Sequence, residues 1–140
     1  EALAHAPECD VVIMAAAVAD YRPAETLASK RPKERATWTV ELEPTTDVLR
    51  ELGSVRRSGQ VLVGFAADEG ETGLARAREK RTVKNADLFV YNDVGRDDIG
   101  FESAQNEVTL VSTGADRTLE KAPKDEIAAE ILDEVERLLP

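Results

Sequence analysis

Six lysines are the residues best suited to an anionic ligand, and they fall into three pairs, Lys30/Lys33, Lys80/Lys84 and Lys121/Lys124. Lys30 and Lys33 lie in a polar stretch carrying Pro23 and Pro32. A flexible ammonium there could close over phosphate groups and offset charge developing in a phosphoryl-type transition state. Solvated surface lysines are the alternative for that pair. Lys80 and Lys84 are four apart in a helical stretch, hence on one face, with Arg76 a further turn back on it. Three cations on one stripe stand out in a chain of net charge −10. Lys121 and Lys124 flank Pro123 at the start of the last helical segment, where a cation opposes the macrodipole, and receive no role.

The carboxyl ends of the apolar strands are the second source of candidates, because ligands of open parallel sheets sit beyond those ends. The first end offers Ala15, Ala16, Ala17 and Ala19, small enough for a ligand to approach the backbone, and then Asp20. The second offers Gly64-Phe65-Ala66-Ala67, a flat ring among small residues that could hold a base. The third ends in Asn92-Asp93, a candidate for binding a substrate hydroxyl or amide or helping to hold a cation. Each has a plain counterpart: alanines also permit tight packing, and Asn-Asp is a common turn dipeptide. Glu69 and Glu71 read as solvated, and Cys9 as an inert thiol before a buried strand.

Composition narrows the chemistry. With 140 residues, 42% hydrophobic and 33% charged, the chain is expected to form one domain spanning residues 1–140. Twenty-eight acidic against 18 basic residues disfavour nucleic-acid binding. The longest apolar stretch, Val11–Ala19, is about half a bilayer span, so a cytoplasmic protein without membrane contact is expected. One cysteine and one histidine, His5, exclude a His/Cys metal cluster and a Ser/His/Asp relay, and no metal ligands are assigned; an oxygen-bound cation such as Mg²⁺ stays open. Neither G-x-G-x-x-G nor G-x-x-x-x-G-K-[ST] occurs. The opening residues, EALAHAPECD, read like the tail of an amphipathic helix, as if the chain began inside a larger protein.

The elements that must position these groups are legible as patterns. Asp10–Ala17 reads as a central parallel strand buried on both faces, Gln60–Ala67 as a second strand and Ala86–Asp93 as a third. A helix over about Thr72–Lys84 joins the last two, which demands a right-handed parallel crossover. Asp20–Glu34 reads as a long irregular loop, and the alternation of Trp38, Val40 and Leu42 as a peripheral strand. Thr45 or Thr46 can cap a helix through Arg56, with Val48, Leu49, Leu52 and Val55 on one stripe. Glu107–Val111 and Thr118–Glu120 form an expected hairpin about Gly114–Asp116, and a helix over Lys124–Leu138 closes the chain on an apolar stripe of Ile127, Ile131, Leu132, Val135, Leu138 and Leu139. The expected class is α/β, a Rossmann-like three-layer fold with a mostly parallel central sheet and a carboxyl-terminal antiparallel hairpin.

Six motifs occur in a fixed order: Ala15-Ala16-Ala17-Val18-Ala19-Asp20-Tyr21-Arg22-Pro23, the lysine ten positions after Asp20, the Thr46-Asp47-Val48-Leu49 helix start, Val63-Gly64-Phe65-Ala66-Ala67, the Lys80/Lys84 pair and Asn92-Asp93-Val94. Together they closely resemble phosphopantothenate cysteine ligase, or phosphopantothenoylcysteine synthetase, of the bacterial CTP-using type, over nearly the whole chain. That domain usually forms the carboxyl half of a bifunctional coenzyme A biosynthesis flavoprotein. The resemblance implies activation of the carboxylate of 4′-phosphopantothenate with CTP and Mg²⁺, release of pyrophosphate, and joining of the acyl cytidylate to cysteine. It implies that Ala15, Ala16, Ala17 and Asp20 bind cytidine, that Lys30 serves the triphosphate and the activation step as the catalytic lysine, that Thr46, Asp47, Val48, Leu49 and Phe65 complete the nucleotide pocket, and that Lys80 and Lys84 grip CTP. It implies a homodimer, and FMN only where a fused flavin-binding decarboxylase domain precedes this segment.

The chain departs from the family in several places. Lys30-Arg31-Pro32-Lys33 stands where the family commonly has Lys-Ile-Lys-Lys, Thr45-Thr46-Asp47 where it has Asn-Pro-Asp, and Asp68 where it has glutamate. The family's amino-terminal portion, with a Gly-rich turn and an Asn-x-Ser-Ser-Gly segment acting on the acyl cytidylate, has no counterpart here. The chain is thus expected to be an amino-terminally truncated ligase domain, impaired or inactive in the complete reaction. The competing readings are a nucleotide-binding module without chemistry, an NAD(P)-binding Rossmann-like domain, and a purely structural fragment.

Overall fold

Two apolar runs dominate the middle of the chain, and they become the interior of a sheet because they can be buried on both faces. In the computed structural model, which describes residues 1–33, 37–96 and 103–140, these are β4 (Val61–Asp68) and β5 (Leu88–Asp93). The chain forms two compact units, one of Glu1–Ala16 with Val48–Pro140 and one of Ala17–Asp47.

In the larger unit, β1 (Val11–Met14), β4, β5, β6 (Gln105–Val111) and β7 (Arg117–Pro123) form one sheet in the order β1-β4-β5-β6-β7. β1, β4 and β5 are parallel; β6 and β7 are antiparallel to their neighbours. The hairpin therefore continues the main sheet, and the sheet is mixed rather than mostly parallel. Its α/β class and helix-covered faces match expectation.

β1 lies at the edge of the described sheet, not at its centre, and Ile13 is 40% exposed. An apolar run records that both faces can be buried, but it does not record how many neighbours the strand has.

Alternation along β4 sends side chains to two cores. Leu62 and Ala66 pack on one face with Leu49 and Leu52 of α2 (Val48–Val55) and Ala77 of α3 (Gly70–Val83), beside the short α1 (Ala2–His5). Val61 and Val63 pack on the other with Ile127, Ile131 and Val135 of α4 (Lys124–Leu138). Burying each of these leucine, valine and isoleucine side chains contributes about 1.5–3 kcal/mol. Leu132, expected on the same stripe, is exposed because the buried positions run at intervals of four along the helix.

α3 is polar in sequence and buries only Gly73 and Ala77, so it approaches the sheet closely. A Cβ at Gly73 would come within 2.7 Å of the Tyr91 hydroxyl and 2.9 Å of Asp68 Cβ. Among the described residues, no helix is long and apolar enough to cross a membrane.

The smaller unit holds a two-stranded antiparallel sheet, β2 (Tyr21–Pro23) with β3 (Leu42–Pro44). Arg22 pairs with Glu43 at 2.7 Å across it. β2 thus interrupts the loop expected over Asp20–Glu34, the last residue of which lies outside the described residues. β3 contains only the end of the expected peripheral strand; Trp38 and Val40 precede it and are exposed, because the facing strand is three residues long. The Thr45 hydroxyl, one of the two expected helix caps beside Thr46, donates instead to the carbonyl of Ala19, while the Thr45 amide donates to the Asp20 carbonyl at 2.9 Å.

Candidate active site

Adjacent parallel strands place their carboxyl ends along one rim. Met14 is opposite Gly64, Ala67 opposite Asn92, and Asp68 opposite Asp93. Ala15 and Ala16 follow β1 directly onto this rim, so three of the motifs singled out in the sequence meet there.

The rim is held by hydrogen bonds to main chain. Asp93 Oδ1 accepts from Gly70 N at 3.1 Å and Gly95 N at 3.0 Å. The Tyr91 hydroxyl lies 2.8 Å from the Gly70 carbonyl and 3.2 Å from that of Asp68, donating its proton to the nearer. Burial, followed by the negative charges of Asp93 and Asp68, pushes the Tyr91 pKa up, so the phenol stays a donor at neutral pH. Gly70, at φ +56°, supplies the left-handed backbone that the turn into α3 requires. Asp93 therefore has a structural duty beside the substrate-binding role expected of it.

Among the described residues, Asn92 Oδ1 is buried and accepts no hydrogen bond, and the same holds for Asn106 Oδ1 on β6. Both side chains lie on the α4 face, the first between Val90 and the strand end, the second opposite Ala122. Phe65, opposite Val90, lies on that face too and is 38% exposed. An exposed ring at the strand-end rim is a surface on which a planar ligand can stack. Asn106 carries no sequence signal beyond its residue type, because an unmet hydrogen bond has no sequence pattern.

Phe65 and the lysines of α3 are not brought together within one chain. Lys80 lies on α3 and Lys84 at its carboxyl cap, and α3 packs on the face opposite Phe65. Lys84 is also at the far end of the sheet: its carbonyl abuts Gly53, and three residues later Asp87 N bonds to Leu62 O where β5 begins. Val48 and Leu49, assigned to the nucleotide pocket by resemblance, open α2, but the Leu49 side chain is committed to the core beside Gly64.

Nearer the rim, Arg76 makes two hydrogen bonds to Asp68, Nε to Oδ2 at 2.8 Å and NH2 to Oδ1 at 2.6 Å. The Arg76 hydrogen bond first, then the Glu69 amide, hold the Asp68 carboxyl below its ordinary range. Because the folded-state pKa is lowered, the stability this pair contributes is present above the ordinary carboxylate range and fades as pH falls through the lowered value.

The smaller unit carries Ala17, Asp20, Lys30, Thr46 and Asp47. Lys30 is exposed, and the next residue, Arg31, lies 4.8 Å from the centroid of the Trp38 ring. Arg31 and Trp38 line a cavity of about 340 Å³ with Glu25, Leu27, Thr39, Val40 and Glu41. Among the described residues no three acidic, histidine or cysteine groups converge to hold a metal.

A family model described as "DNA/pantothenate metabolism flavoprotein C-terminal domain" matches residues 1–139. The coenzyme A biosynthesis bifunctional protein CoaBC of Bacillus subtilis is 40% identical over 92% of this chain and 32% of its own length. A protein named cysteine/cysteine sulfinic acid decarboxylase, from an unknown prokaryotic organism, is 35% identical over 91% of this chain and 36% of its own. The chain thus spans about a third of these relatives. A crystal structure of the C-terminal domain of CoaBC superposes with a TM-score of 0.75 at 35% identity, covering 98% of this chain and 58% of that one. A Cab2 mutant in complex with phosphopantothenate-cysteine shares the fold at a TM-score of 0.63 and 19% identity, over 91% of this chain and 44% of that one. The rim of aligned strand ends, the ordered motifs and these matches agree: the chain belongs to the DNA/pantothenate metabolism flavoprotein C-terminal domain family, the phosphopantothenoylcysteine synthetase part of the CoaBC proteins.

Proposed function

We propose that this chain supplies the nucleotide-binding, acid-activating part of a CTP-dependent ligase that joins 4′-phosphopantothenate to cysteine in coenzyme A biosynthesis, in the cytoplasm. The observation that carries this reading is the family match over residues 1–139. The exposed Phe65 ring at the strand-end rim supports a nucleotide base as the ligand.

A carboxylate oxygen of phosphopantothenate attacks the α-phosphorus of CTP, the bond to the bridging oxygen breaks, and pyrophosphate leaves. The cysteine amine then attacks the acyl carbon, CMP departs and the amine loses a proton. Both partners in the first step are anions, so cations must neutralise the triphosphate and the departing pyrophosphate. Lys30, Lys80 and Lys84 are the groups proposed for this, with Mg²⁺ supplying further charge neutralisation when it accompanies the nucleotide. Ala15, Ala16, Ala17, Asp20, Thr46 and Asp47 are proposed to surround the cytidine, and Asn92 and Asp93 the substrate end.

Phe65 and Lys80 lie on opposite faces of one sheet, which favours a homodimer in which α3 of one copy serves the rim of the other. Tyr21, Trp38 and Leu42 are exposed around a sheet of only two strands, an arrangement marginal by itself, and a second copy is the partner proposed for them. A fused flavin-binding decarboxylase, with its FMN, belongs to the same proposal for the longer protein.

Calorimetric titration tests the ligand class. CTP is expected to bind this chain saturably and NADPH not to. Saturable NADPH binding with none by CTP would support the dinucleotide-binding alternative, and heat from neither would leave only a structural fragment.

A further inference from the structure

The ion pair between Asp68 and Arg76 sits at the head of the stripe that continues through Lys80. Arg76 and Lys80 are one helical turn apart on α3, so the two cations and the Asp68 carboxylate share one patch of surface. The pair is anchored from behind: the Asp68 carbonyl accepts from Val94 N at 3.0 Å, and its Oδ1 accepts from Glu69 N at 2.9 Å. Gly73 allows the helix to come close enough for the two-bond grip on Asp68. Lys80 makes no ion pair among the described residues. Its charge is felt at Asp68, where it adds to the lowering of the carboxyl pKa.

We propose that Asp68 and Arg76 act as opposed tuning residues, setting the strength with which Lys80 attracts an anionic polyphosphate. This rests on the reading of α3 as a polyphosphate-binding helix. While the pair is closed its charges cancel and Lys80 presents one net cation. Removing the acid leaves Arg76 as an additional cation beside Lys80. Removing the base leaves a bare carboxylate that draws the ammonium toward itself and repels the ligand. Two unit charges several ångströms apart near a protein surface alter binding by roughly three- to tenfold at low ionic strength. A purely structural pair behaves differently, because breaking it from either side loosens the same turn.

The probe is inorganic tripolyphosphate, titrated calorimetrically into this chain at low salt. Asp68→Asn is expected to tighten binding roughly three- to tenfold and Arg76→Gln to weaken it by a similar factor, both differences shrinking at high salt. Arg76→Lys keeps the charge without the fork and is expected to stay within about twofold of wild type. The double variant Asp68→Asn/Arg76→Gln is expected to return to wild-type affinity, even where a single variant is less stable. Lys80→Gln separates the two claims. If it weakens binding while Asp68→Asn and Arg76→Gln shift affinity in the same direction, the tuning is wrong and the helix still binds polyphosphate. If wild type and Lys80→Gln bind equally, or not at all, both are wrong.

Discussion

Lys30→Gln is expected to lower the rate of acyl cytidylate formation by about 10²- to 10³-fold in the longer ligase, the cost of losing one well-placed charge from an electrostatically stabilised transition state. Glutamine retains most of the length and polarity of lysine and removes only the cation. Lys30 is exposed, and surface substitutions of this kind change stability by about 0.5 kcal/mol or less, so the thermal midpoint should stay put. Because the charge matters most as negative charge builds on the transferring phosphorus, kcat should fall more than KM for CTP rises. Rapid-quench measurement of the first turnover isolates this step from the later attack by cysteine. An unchanged first-turnover rate would remove Lys30 from the mechanism and leave α3 as the source of the cations.

Gly53→Ala is expected to destabilise the chain by about 3 kcal/mol or more, a drop of roughly 10 °C in thermal midpoint for a chain of this size. A Cβ there would fall 1.9 Å from the carbonyl oxygen and 3.0 Å from the carbonyl carbon of Lys84. Those atoms are backbone and cannot rotate aside. They are also tied down: Lys84 N bonds to Lys80 O at 2.9 Å, Asn85 holds a left-handed φ of 50°, and its Nδ2 donates to the Gly53 carbonyl at 2.8 Å. α2 must therefore retreat from the turn that ends α3, disturbing Lys84 as it does so. Differential scanning calorimetry reads the shift directly, and a midpoint within about 2 °C of wild type would mean that the two segments are not in contact.

What could be read from the residues differed by the kind of information involved. Strands β4 and β5 were legible because unbroken apolar runs mark strands buried on both faces, and α4 because Ile127, Ile131 and Val135 recur at helical spacing. Position within the sheet was not, since the apolar run of β1 says nothing about its neighbours. Nor was the joining of the hairpin to β5, which depends on pairing between distant segments. The short β2 carries no sequence signal, because Tyr21-Arg22-Pro23 is too brief and too polar to show alternation.

At the candidate site, the alignment of Ala15, Phe65 and Asn92 along one rim followed from the parallel order of their strands. The split between Phe65 and the α3 lysines could have been anticipated from strand parity: Phe65 shares its face with Val61 and Val63, whereas α3 packs over Leu62 and Ala66. The grip of Arg76 on Asp68 and the unmet acceptor of Asn106 could not, because both depend on side-chain placement in three dimensions.

The most direct test of a CTP-dependent ligase is pyrophosphate release by the longer protein containing this chain, assayed with CTP and 4′-phosphopantothenate, with and without cysteine. Multiple turnovers that require cysteine and yield one CMP per pyrophosphate are expected, with ATP a poor replacement for CTP. No pyrophosphate above background in the presence of all three substrates, from protein shown to be folded, would contradict the proposed activity.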